Sequence, residues 1–268
     1  MPELPEVEHA AGRLRAAMVG RVIVAAETFH RSTAKSLTPQ SIWRLIGQQV
    51  VSVDRRAKIQ LVLLGDGQLL EVHFRMTGDW DFGRSDDATQ PLERARFVLD
   101  DGTRVSFIDG RAFGVLRLHA AGKFSLPPLG PEPLEDAFDA TLLRGLLASR
   151  RGPIKPVLLD QRVVAGLGNI YAAEALWEAR ISPACAANSL SRARLSRLRD
   201  AIQLVLRDAP VGRYYARADV NGDASPSNNE ESWRVYGREG EPCRRCDSRI
   251  VRIAQSGRST FYCRRCQR

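Results

Sequence analysis

The first residues of the chain, Met-Pro-Glu-Leu-Pro-Glu-Val-Glu, place a proline beside the initiator methionine and acids close behind it. Methionine is usually removed before a small residue such as proline, which would leave Pro2 with a secondary amine. An α-amino group titrates near ~7.7–8.0, so a sizeable fraction is neutral and nucleophilic near neutral pH. Such an amine condenses with an aldehyde carbon to an iminium, which stays charged and is therefore a durable electron sink for elimination. Glu3 and Glu6 are close enough in sequence to supply a general acid and a positioning carboxylate.

A simpler interpretation of the same residues is structural. Pro2 and Pro5 are typical of the start of a helix, and acids in a first helical turn complement the positive end of the helix dipole. Taken alone, the N-terminus favours this second interpretation.

Four of the five cysteines form two knuckles, Cys243-Arg-Arg-Cys246 and Cys263-Arg-Arg-Cys266, separated by sixteen residues. This spacing is typical of a tetrahedral zinc site and predicts one structural Zn²⁺ per chain. Two disulfides are the alternative, which a cytosolic location disfavours.

Two glycine-containing turns are candidates for phosphate binding. In Val-Ala-Gly-Leu-Gly-Asn-Ile-Tyr, residues 164–171, a Gly-rich turn leads into a helix whose free N–H groups suit an anion, and Asn169 would both cap the helix and reach the anion. A lone GxG is weak evidence, because it is usually only a tight turn. The second turn, at Gly257, lies between the zinc knuckles and would place Arg258 at the tip of a hairpin.

Hydrophobic periodicity predicts an α+β protein of several domains. Residues 5–18 and a short segment capped by Thr38 are predicted to be helices, and seven short strands should form a β-sandwich to which the helices attach: 21–29, 49–54, 59–64, 69–74, 96–99, 104–108 and 114–118. A proline-rich linker at 126–138 follows. Helices are then predicted at 139–150, 153–160, 170–178 and 191–208, and the polar segment 216–232 is predicted to be a mobile loop.

Composition limits the possible partners. The formal net charge is +9, which favours a polyanionic partner, although a basic surface that binds no polyanion would have the same charge.

The sequence shows neither an apolar stretch long enough to cross a membrane nor a secretory signal, so we expect a cytoplasmic protein. Lysines make up only four of the 40 basic residues, and two of them, Lys58 and Lys155, fall in motifs discussed below.

Taken together, these motifs resemble those of the formamidopyrimidine-DNA glycosylases from end to end. The matching segments, in the family's order, are PELPEVE, LGPEPL at 129–134, IKP at 154–156, VAGLGNIYA at 164–172, VYGREGEPC at 235–243 and GRSTFYC at 257–263. The resemblance implies an N-terminal β-sandwich (1–125), a linker (126–138), a helix-two-turn-helix domain (139–233) and a C-terminal zinc-finger hairpin (234–268). It also implies a monomer that binds damaged double-stranded DNA in a basic cleft, with the damaged nucleotide flipped out.

The resemblance assigns a catalytic role to four residues. Pro2 matches the family's nucleophile, Glu3 its acid–base residue, Glu6 a supporting carboxylate, and Lys58 a lysine beside the phosphates of the lesion. Alternatively, Lys58 is a surface lysine that flanks a strand and has no functional role.

Eight further residues match DNA-contacting positions of the family. Met76, Arg111 and Phe113 match the residues that fill the void left by the flipped base, and Arg111 would read the orphaned partner base. Lys155 matches a lysine near the lesion pocket, and phosphate contacts are implied for His73, Asn169, Tyr236 and Arg258. Met76 and Phe113 could instead be core residues, His73 a buried structural histidine, and Tyr236 a core tyrosine.

The implied activity is bifunctional: excision of oxidised purines, namely formamidopyrimidines and 8-oxoguanine, followed by β,δ-elimination at the abasic site. Two departures limit the match. The usual DPRRFG is Asp-Gly-Arg-Ala-Phe-Gly here, at 109–114, and the segment 221–233 lacks the aromatic pair of the family's lesion-capping loop. A relative that prefers oxidised pyrimidines or abasic sites, or a non-catalytic zinc-containing DNA-binding protein, therefore remains open.

Overall fold

The computed structural model describes residues 1–210 and 233–268, which form two compact units: residues 1–126, and residues 127–210 with 233–268. The predicted loop at 216–232 lies outside the described residues. Among the helices that the structure describes, none is both long enough and apolar enough to cross a membrane.

The N-terminal unit contains three helices and eight strands. In chain order they are α1 (Leu4–Met18), β1 (Ile23–Thr28), α2 (Arg31–Ser36), α3 (Pro39–Leu45), β2 (Val50–Arg56), β3 (Ile59–Leu64), β4 (Leu69–His73), β5 (Gly78–Arg84), β6 (Glu93–Leu99), β7 (Thr103–Asp109) and β8 (Val115–His119). Thr38 caps α3, as predicted, because its side chain accepts a hydrogen bond from the backbone N–H of Ser41.

The strands form two antiparallel four-stranded sheets, in the orders β1-β6-β7-β5 and β2-β3-β4-β8. Alternate residues of both sheets, together with one face of α1, are buried in a single hydrophobic cluster that includes Leu14, Val62 and Phe107. The predicted β-sandwich with flanking helices is thus confirmed.

Two elements of this unit are absent from the sequence-based prediction. Strand β5 has the sequence Gly-Asp-Trp-Asp-Phe-Gly-Arg, in which polar and glycine residues outnumber the apolar ones, and only Trp80 and Phe82 indicate a strand. Helix α2 lacks a hydrophobic stripe, since Thr33 is its one buried residue. It is capped instead by the ring of His30, whose Nδ1 accepts the N–H of Ser32 at 3.2 Å.

The chain crosses from one sheet to the other twice at one end of the sandwich. The first crossover, residues 74–77, joins β4 to β5, and the second, residues 110–114, joins β7 to β8. Strand β4 pairs with β8 in one sheet and β5 pairs with β7 in the other, with Gly78 opposite Asp109 and His73 opposite Val115. These pairings force the two crossovers to lie side by side.

The C-terminal unit begins with helices. They are α4 (Ala140–Leu147), α5 (Ile154–Leu158), α6 (Asn169–Glu178) and α7 (Arg192–Arg207), with a short 3₁₀ helix at Ala187–Ser189 before α7. All four α-helices were predicted, and Asp139 and Ser191 cap α4 and α7 with their side chains. Helix α6 is apolar on nearly every side because it packs against several other elements, including α5 and α7.

The same unit ends in a two-stranded hairpin of β9 (Ile250–Gln255) and β10 (Arg258–Cys263). The turn is made by Ser256 and Gly257, which both have positive φ. Arg258 pairs with Gln255 directly after the turn and is exposed, so it lies at the tip of the hairpin as predicted.

The core of the sandwich gives a first test. Phe107 is fully buried, and its ring centroid lies 5.3 Å from that of Trp80 and 6.0 Å from that of Phe74. We expect Phe107→Ala to lower the free energy of unfolding by about 3–5 kcal/mol, because it removes a buried ring and leaves a cavity. Urea unfolding followed by circular dichroism measures this.

Phe113→Ala is the matched control. Phe113 is 54% exposed, so we expect a change within about 0.5 kcal/mol in the free energy of unfolding. Equal losses from both substitutions would contradict the packing described above.

Candidate functional site

The residues that begin the chain are buried at the start of α1. Pro2, Glu3 and Glu6 are all buried, and Glu3 and Glu6 are 2% and 6% exposed. The carboxylate of Glu6 accepts the backbone N–H of Glu3 at 2.8 Å, which fixes the backbone of Glu3 at the first turn. A proline start and a capping carboxylate thus explain the local fold, and they also concentrate two carboxyl groups beside the terminus.

The terminal amine, carried here by Met1, lies among charges of both signs. Burial lowers its pKa below the usual 8.0, the carboxylates of Glu3 and Glu6 oppose that shift, and the positive charges of Lys58 and Arg111 add to it. The net effect is a lowered pKa, so this amine is neutral and nucleophilic in a larger fraction of molecules than an ordinary terminal amine.

Lys58 reaches this region from the turn between β2 and β3. The turn is tight, since Ala57 has a φ of 53°, and Lys58 is only 7% exposed. A lysine that flanks a strand at the surface would be exposed, so Lys58 is not a surface lysine of that kind. Its role beside the lesion phosphates stays a prediction.

His73 ends β4 directly beside the start of β3, where it pairs with Ile59, the neighbour of Lys58. Its Nδ1 accepts the backbone N–H of Arg75 at 3.0 Å, so the ring proton of the neutral form is on Nε2. Burial, then the positive charges of Arg75 and Lys58, lower the pKa of His73 to about 4. At neutral pH His73 is therefore a neutral ring with one N–H to donate.

The two crossovers carry the other three residues predicted for this unit. Met76 lies on the first crossover and is half-buried, while Arg111 and Phe113 lie on the second and are exposed. The guanidinium of Arg111 lies over the ring of Phe113, 4.9 Å from its centroid. An exposed phenylalanine under an arginine is not a core residue, which excludes the packing interpretation for Phe113.

In the C-terminal unit, Lys155 is the residue that joins the candidate phosphate-binding turns. Its ammonium donates to Asn169 Oδ1 at 2.7 Å, to Thr260 Oγ1 at 2.8 Å and to the carbonyl of Ser259 at 2.9 Å. The side chain is 1% exposed. It therefore ties α5 to the start of α6 and to β10, beside Arg258.

The side chain of Gln161 stabilises the Gly-rich turn before α6 with two hydrogen bonds. Its amide oxygen accepts the N–H of Gly166 at 2.9 Å, and its amide nitrogen donates to the carbonyl of Leu167 at 2.9 Å. Gly166 has a φ of 78°, which a residue with a side chain rarely adopts. Asn169 is half-buried and is the first residue of the helix. The prediction that it caps the helix is wrong, because Gly168 is the N-cap and the Asn169 side-chain oxygen accepts from Lys155 instead.

Tyr236 is placed by a buried carboxylate. Glu174 accepts the backbone N–H groups of Arg234, Val235 and Tyr236, each at 2.9 Å. The half-buried ring of Tyr236 packs edge-on against Phe261, with 5.3 Å between centroids. Its predicted phosphate contact stays a prediction.

The four cysteines of the two knuckles come together as predicted. Their Sγ atoms all lie within 4.8 Å of one another, with 3.9 Å between Cys243 and Cys266 and 3.5 Å between Cys246 and Cys263. A tetrahedron of sulfurs around zinc, with Zn–S bonds of about 2.3 Å, has edges of about 3.8 Å. The donor set and its dimensions therefore fit one structural Zn²⁺.

Helix α6 supports this site through Trp177. Its indole N–H points to Cys243 Sγ at 3.4 Å, and its ring lies under the guanidinium of Arg245, 3.7 Å from the centroid. Arg245 also donates to the carbonyl of Trp177 at 2.6 Å. An arginine of the first knuckle is thus used to attach the knuckle to the helix.

The predicted residues form two groups, one in each unit. Pro2, Glu3, Glu6, Lys58, His73, Met76, Arg111 and Phe113 belong to the first, and Lys155, Asn169, Tyr236 and Arg258 belong to the second with the four cysteines. The supporting side chains that the sequence-based prediction missed include Asp109, Gln161 and Trp177. Asp109 precedes a glycine and was indistinguishable from a turn residue, Gln161 lies in an unpatterned segment, and Trp177 has the signature of a core aromatic.

The environment of His73 predicts an unusual pH dependence. Its folded-state pKa of about 4 lies below the ordinary 6.5, so protons bind preferentially to the unfolded chain. We therefore expect the contribution of His73 to stability to be present above pH 6.5 and to be lost as the pH falls towards 4. NMR titration of the imidazole should give the low pKa and an Nε2–H tautomer.

His73→Gln supplies the matched control, because its stability should fall less between pH 6.5 and 4 than that of the wild type. An imidazole that titrates near 6.5 would contradict the burial and the neighbouring charges.

The contact between Trp177 and Cys243 predicts that the wild type releases zinc more slowly than a variant without the indole N–H. We expect Trp177→Phe, which keeps a ring but removes the N–H donor, to release zinc to a chromogenic chelator roughly 10-fold faster, as loss of an outer hydrogen bond to a metal ligand typically does. Trp233→Phe is the control, since Trp233 is buried against Tyr171. Equal release rates in both variants would show that the indole N–H does not stabilise the site.

Comparison with known proteins gives a consistent result over the whole chain. The family models that match are the formamidopyrimidine-DNA glycosylase N-terminal domain at residues 1–116, the formamidopyrimidine-DNA glycosylase H2TH domain at 129–213, and a zinc finger found in FPG and IleRS at 240–268. The formamidopyrimidine-DNA glycosylase of Sphingopyxis alaskensis is 42% identical over 275 residues, with all of both chains covered.

Solved structures agree. The Lactococcus lactis FPG mutant G226P in complex with Fapy-dG-containing DNA superimposes with a TM-score of 0.88 at 33% identity, and MutM in complex with carbocyclic 8-oxo-G-containing DNA with a TM-score of 0.87 at 32% identity. Both comparisons cover 100% of each chain. From its sequence, its sandwich and its zinc-binding hairpin, this chain belongs to the formamidopyrimidine-DNA glycosylase family.

Proposed function

We propose that this protein is a bifunctional DNA glycosylase and abasic-site lyase that removes oxidised purines, formamidopyrimidines and 8-oxoguanine, from double-stranded DNA, with Pro2 as the nucleophile once Met1 is removed. The observation that carries the proposal is the environment of Pro2, which is buried at the start of α1. It lies beside two carboxylates and within the field of Lys58 and Arg111. The relatives are named for this activity, and the similar solved structures hold DNA with Fapy-dG or 8-oxo-G.

The chemistry follows from a secondary amine next to a carboxyl group. The nitrogen of Pro2 attacks C1′ of the damaged nucleotide, the glycosidic bond breaks, and the base leaves after taking up a proton. The bound nitrogen then loses its proton and expels O4′ from C1′, so the sugar ring opens, O4′ takes up a proton, and an iminium forms. The iminium acidifies the C2′ hydrogen, so its removal expels the 3′ phosphate, and a second elimination expels the 5′ phosphate. Glu3 is the group that donates and accepts these protons, and Glu6 holds it through the Glu3 N–H.

Two side chains beside the terminus suit the phosphates that flank the lesion. Lys58 supplies a positive charge that is already desolvated, which strengthens its attraction for a phosphate. His73 supplies the Nε2–H of a neutral ring, so it donates a hydrogen bond without the cost of burying a second charge.

The crossover residues fit the void left by a flipped nucleotide. Unstacking a base costs a few kcal/mol, and an apolar wedge with a planar guanidinium offsets that cost. In this proposal Met76 and Phe113 are the apolar groups, and Arg111 contacts the orphaned base; the stacking of Arg111 over Phe113 supports it.

In the C-terminal unit we propose phosphate contacts from Asn169, Arg258 and Tyr236. Lys155 is occupied by three protein acceptors, so we propose that it serves DNA binding by orienting Asn169 and the turn that carries Arg258. One structural zinc ion keeps that turn folded.

Three further proposals concern the location, the oligomeric state and the domain boundaries of the protein. We place the protein in the cytoplasm, acting at the nucleoid, and we infer that it binds DNA as a monomer. The boundaries 1–125, 126–138, 139–233 and 234–268 remain our proposal for sandwich, linker, helical domain and zinc finger.

Borohydride trapping tests the nucleophile. A chain made with a removable peptide before Pro2 should give no covalent adduct with abasic-site DNA, because an amide nitrogen is not nucleophilic. Removing the peptide from the same preparation should restore trapping, and the cross-linked peptide should begin at Pro2. Trapping with the extension in place would move the nucleophile elsewhere, with Lys58 the next candidate.

A further inference from the structure

A single buried carboxylate lies between the two crossovers that carry Met76, Arg111 and Phe113. Asp109, the last residue of β7, is 0% exposed. A carboxylate without access to water is costly unless hydrogen bonds satisfy it. The partners that satisfy it come from both crossovers.

One oxygen of Asp109 is directed at the second crossover. Its Oδ2 accepts the backbone N–H of Gly114 at 2.7 Å, which closes the loop from its far end. The backbone carbonyl of Asp109 accepts the N–H of Ala112 at 3.3 Å, and Ala112 has a φ of 52°. A left-handed alanine costs free energy, so these hydrogen bonds hold the loop in a shape that it would not adopt alone.

The other oxygen joins the first crossover to the second. Asp109 Oδ1 accepts a hydrogen bond from the hydroxyl of Thr77, the residue that follows Met76. The backbone N–H of Arg111 donates to both acceptors, to Thr77 Oγ1 at 3.1 Å and to Asp109 Oδ1 at 3.2 Å. Thr77 Oγ1, Asp109 Oδ1 and the backbone N–H of Arg111 thus form one junction. Arg111 belongs to this junction, and Met76 directly precedes Thr77 in the chain.

Two further contacts stiffen the base of the junction. Arg94, on β6, donates to the carbonyl of Asp109 at 2.6 Å. Gly114 leaves no room for a side chain, because a Cβ there would lie 2.4 Å from Phe107 Cζ in the hydrophobic core. The second crossover is thus fixed both to the neighbouring strand and to the core.

We propose that Asp109, through Thr77, is a positioning residue that makes the two crossovers one rigid wedge and so sets how strictly the enzyme discriminates the base opposite the lesion. This inference rests on the function proposed above. Arg111 can test the orphaned base only if its position relative to the void is fixed. The junction fixes it by holding its backbone N–H against the loop that carries Met76.

The test uses Thr77→Val, which removes the hydroxyl at nearly constant volume, with Thr77→Ser as the matched control that keeps it. Asp109→Asn is the second variant, because an amide cannot accept from all of the present donors. Single-turnover cleavage and borohydride trapping are measured on a single strand with an abasic site, and on duplexes with cytosine or adenine opposite that site. Thermal unfolding is measured for each variant.

We expect Thr77→Val and Asp109→Asn to react with the single strand within about 2-fold of the wild type, since no orphaned base is present there. On the duplexes we expect the ratio of rates opposite cytosine and adenine to collapse towards one, with a fall of about 10-fold in the faster rate. Thr77→Ser should keep the wild-type ratio. A purely structural role would lower the rates on all three substrates together.

Two outcomes would overturn the inference: an unchanged ratio of rates in a folded Thr77→Val, or an equal loss on single-stranded and double-stranded DNA. If Asp109→Asn fails to fold, Thr77→Val alone decides. Failure of the proposed function is distinguishable, because the wild type would then trap none of the three substrates.

Discussion

Two strand pairings, β4 with β8 and β5 with β7, decide where the reactive end of the N-terminal unit lies. Each pairing is an ordinary antiparallel ladder, but β4 is followed by β5 and β7 by β8, so the chain must change sheet twice at the same place. Connections of this kind leave short exposed loops on a rigid support. The sandwich core fixes the strand ends, and side chains on the loops inherit their positions from it.

The start of the chain, which we propose as the reactive group, is also held by the fold. Chain ends are mobile unless they are tied down. Here α1 begins at Leu4, with Pro5 in its first turn and the Glu6 carboxylate bound to the Glu3 N–H, and the helix is packed on the sandwich through Val7, Ala11 and Leu14. The helix start and the catalytic interpretation are therefore not alternatives: the helix is what holds the amine in place.

Charge is used differently in the C-terminal unit. The segment 234–268 contains ten arginines and three acids, which suggested a phosphate-binding surface. Some of these arginines make contacts within the protein. Arg238 is 7% exposed and donates to the carbonyls of Arg234 and Pro242, and Arg245 lies on Trp177. Net charge indicates the class of partner, but only the structure separates arginines that face solvent from those that hold the zinc knuckle.

How much the sequence revealed depends on the range of the interaction. Period-two and period-3.6 patterns predicted seven strands and the longer helices, because an element buried on one face has apolar residues at regular intervals along a continuous segment. Strand β5 was missed because its apolar signal is limited to Trp80 and Phe82, and the sheet itself supplies its hydrogen-bond partners. The zinc ligands were evident because metal geometry demands close spacing.

The supporting side chains could not be predicted in this way. Asp109 is joined to Thr77 across 32 positions and Lys155 to Thr260 across 105, so no local pattern contains either contact. Family resemblance supplied the residues proposed to contact the substrate. It gave no information on which side chains hold them, because those contacts depend on how distant segments pack.

The balance of charges at the terminus sets a limit on what the site can do. Two carboxylates alone would stabilise the ammonium form of the amine and suppress attack, while cations alone would leave the later iminium without a counter-charge. Burial and the positive charges of Lys58 and Arg111 favour the neutral amine, and Glu3 and Glu6 oppose them. In the proposed reaction the iminium carries a lasting positive charge, which the same carboxylates would stabilise. An amine that must first be neutral and then become a lasting cation requires both signs of charge around it, and this is the environment in which the fold buries the start of the chain.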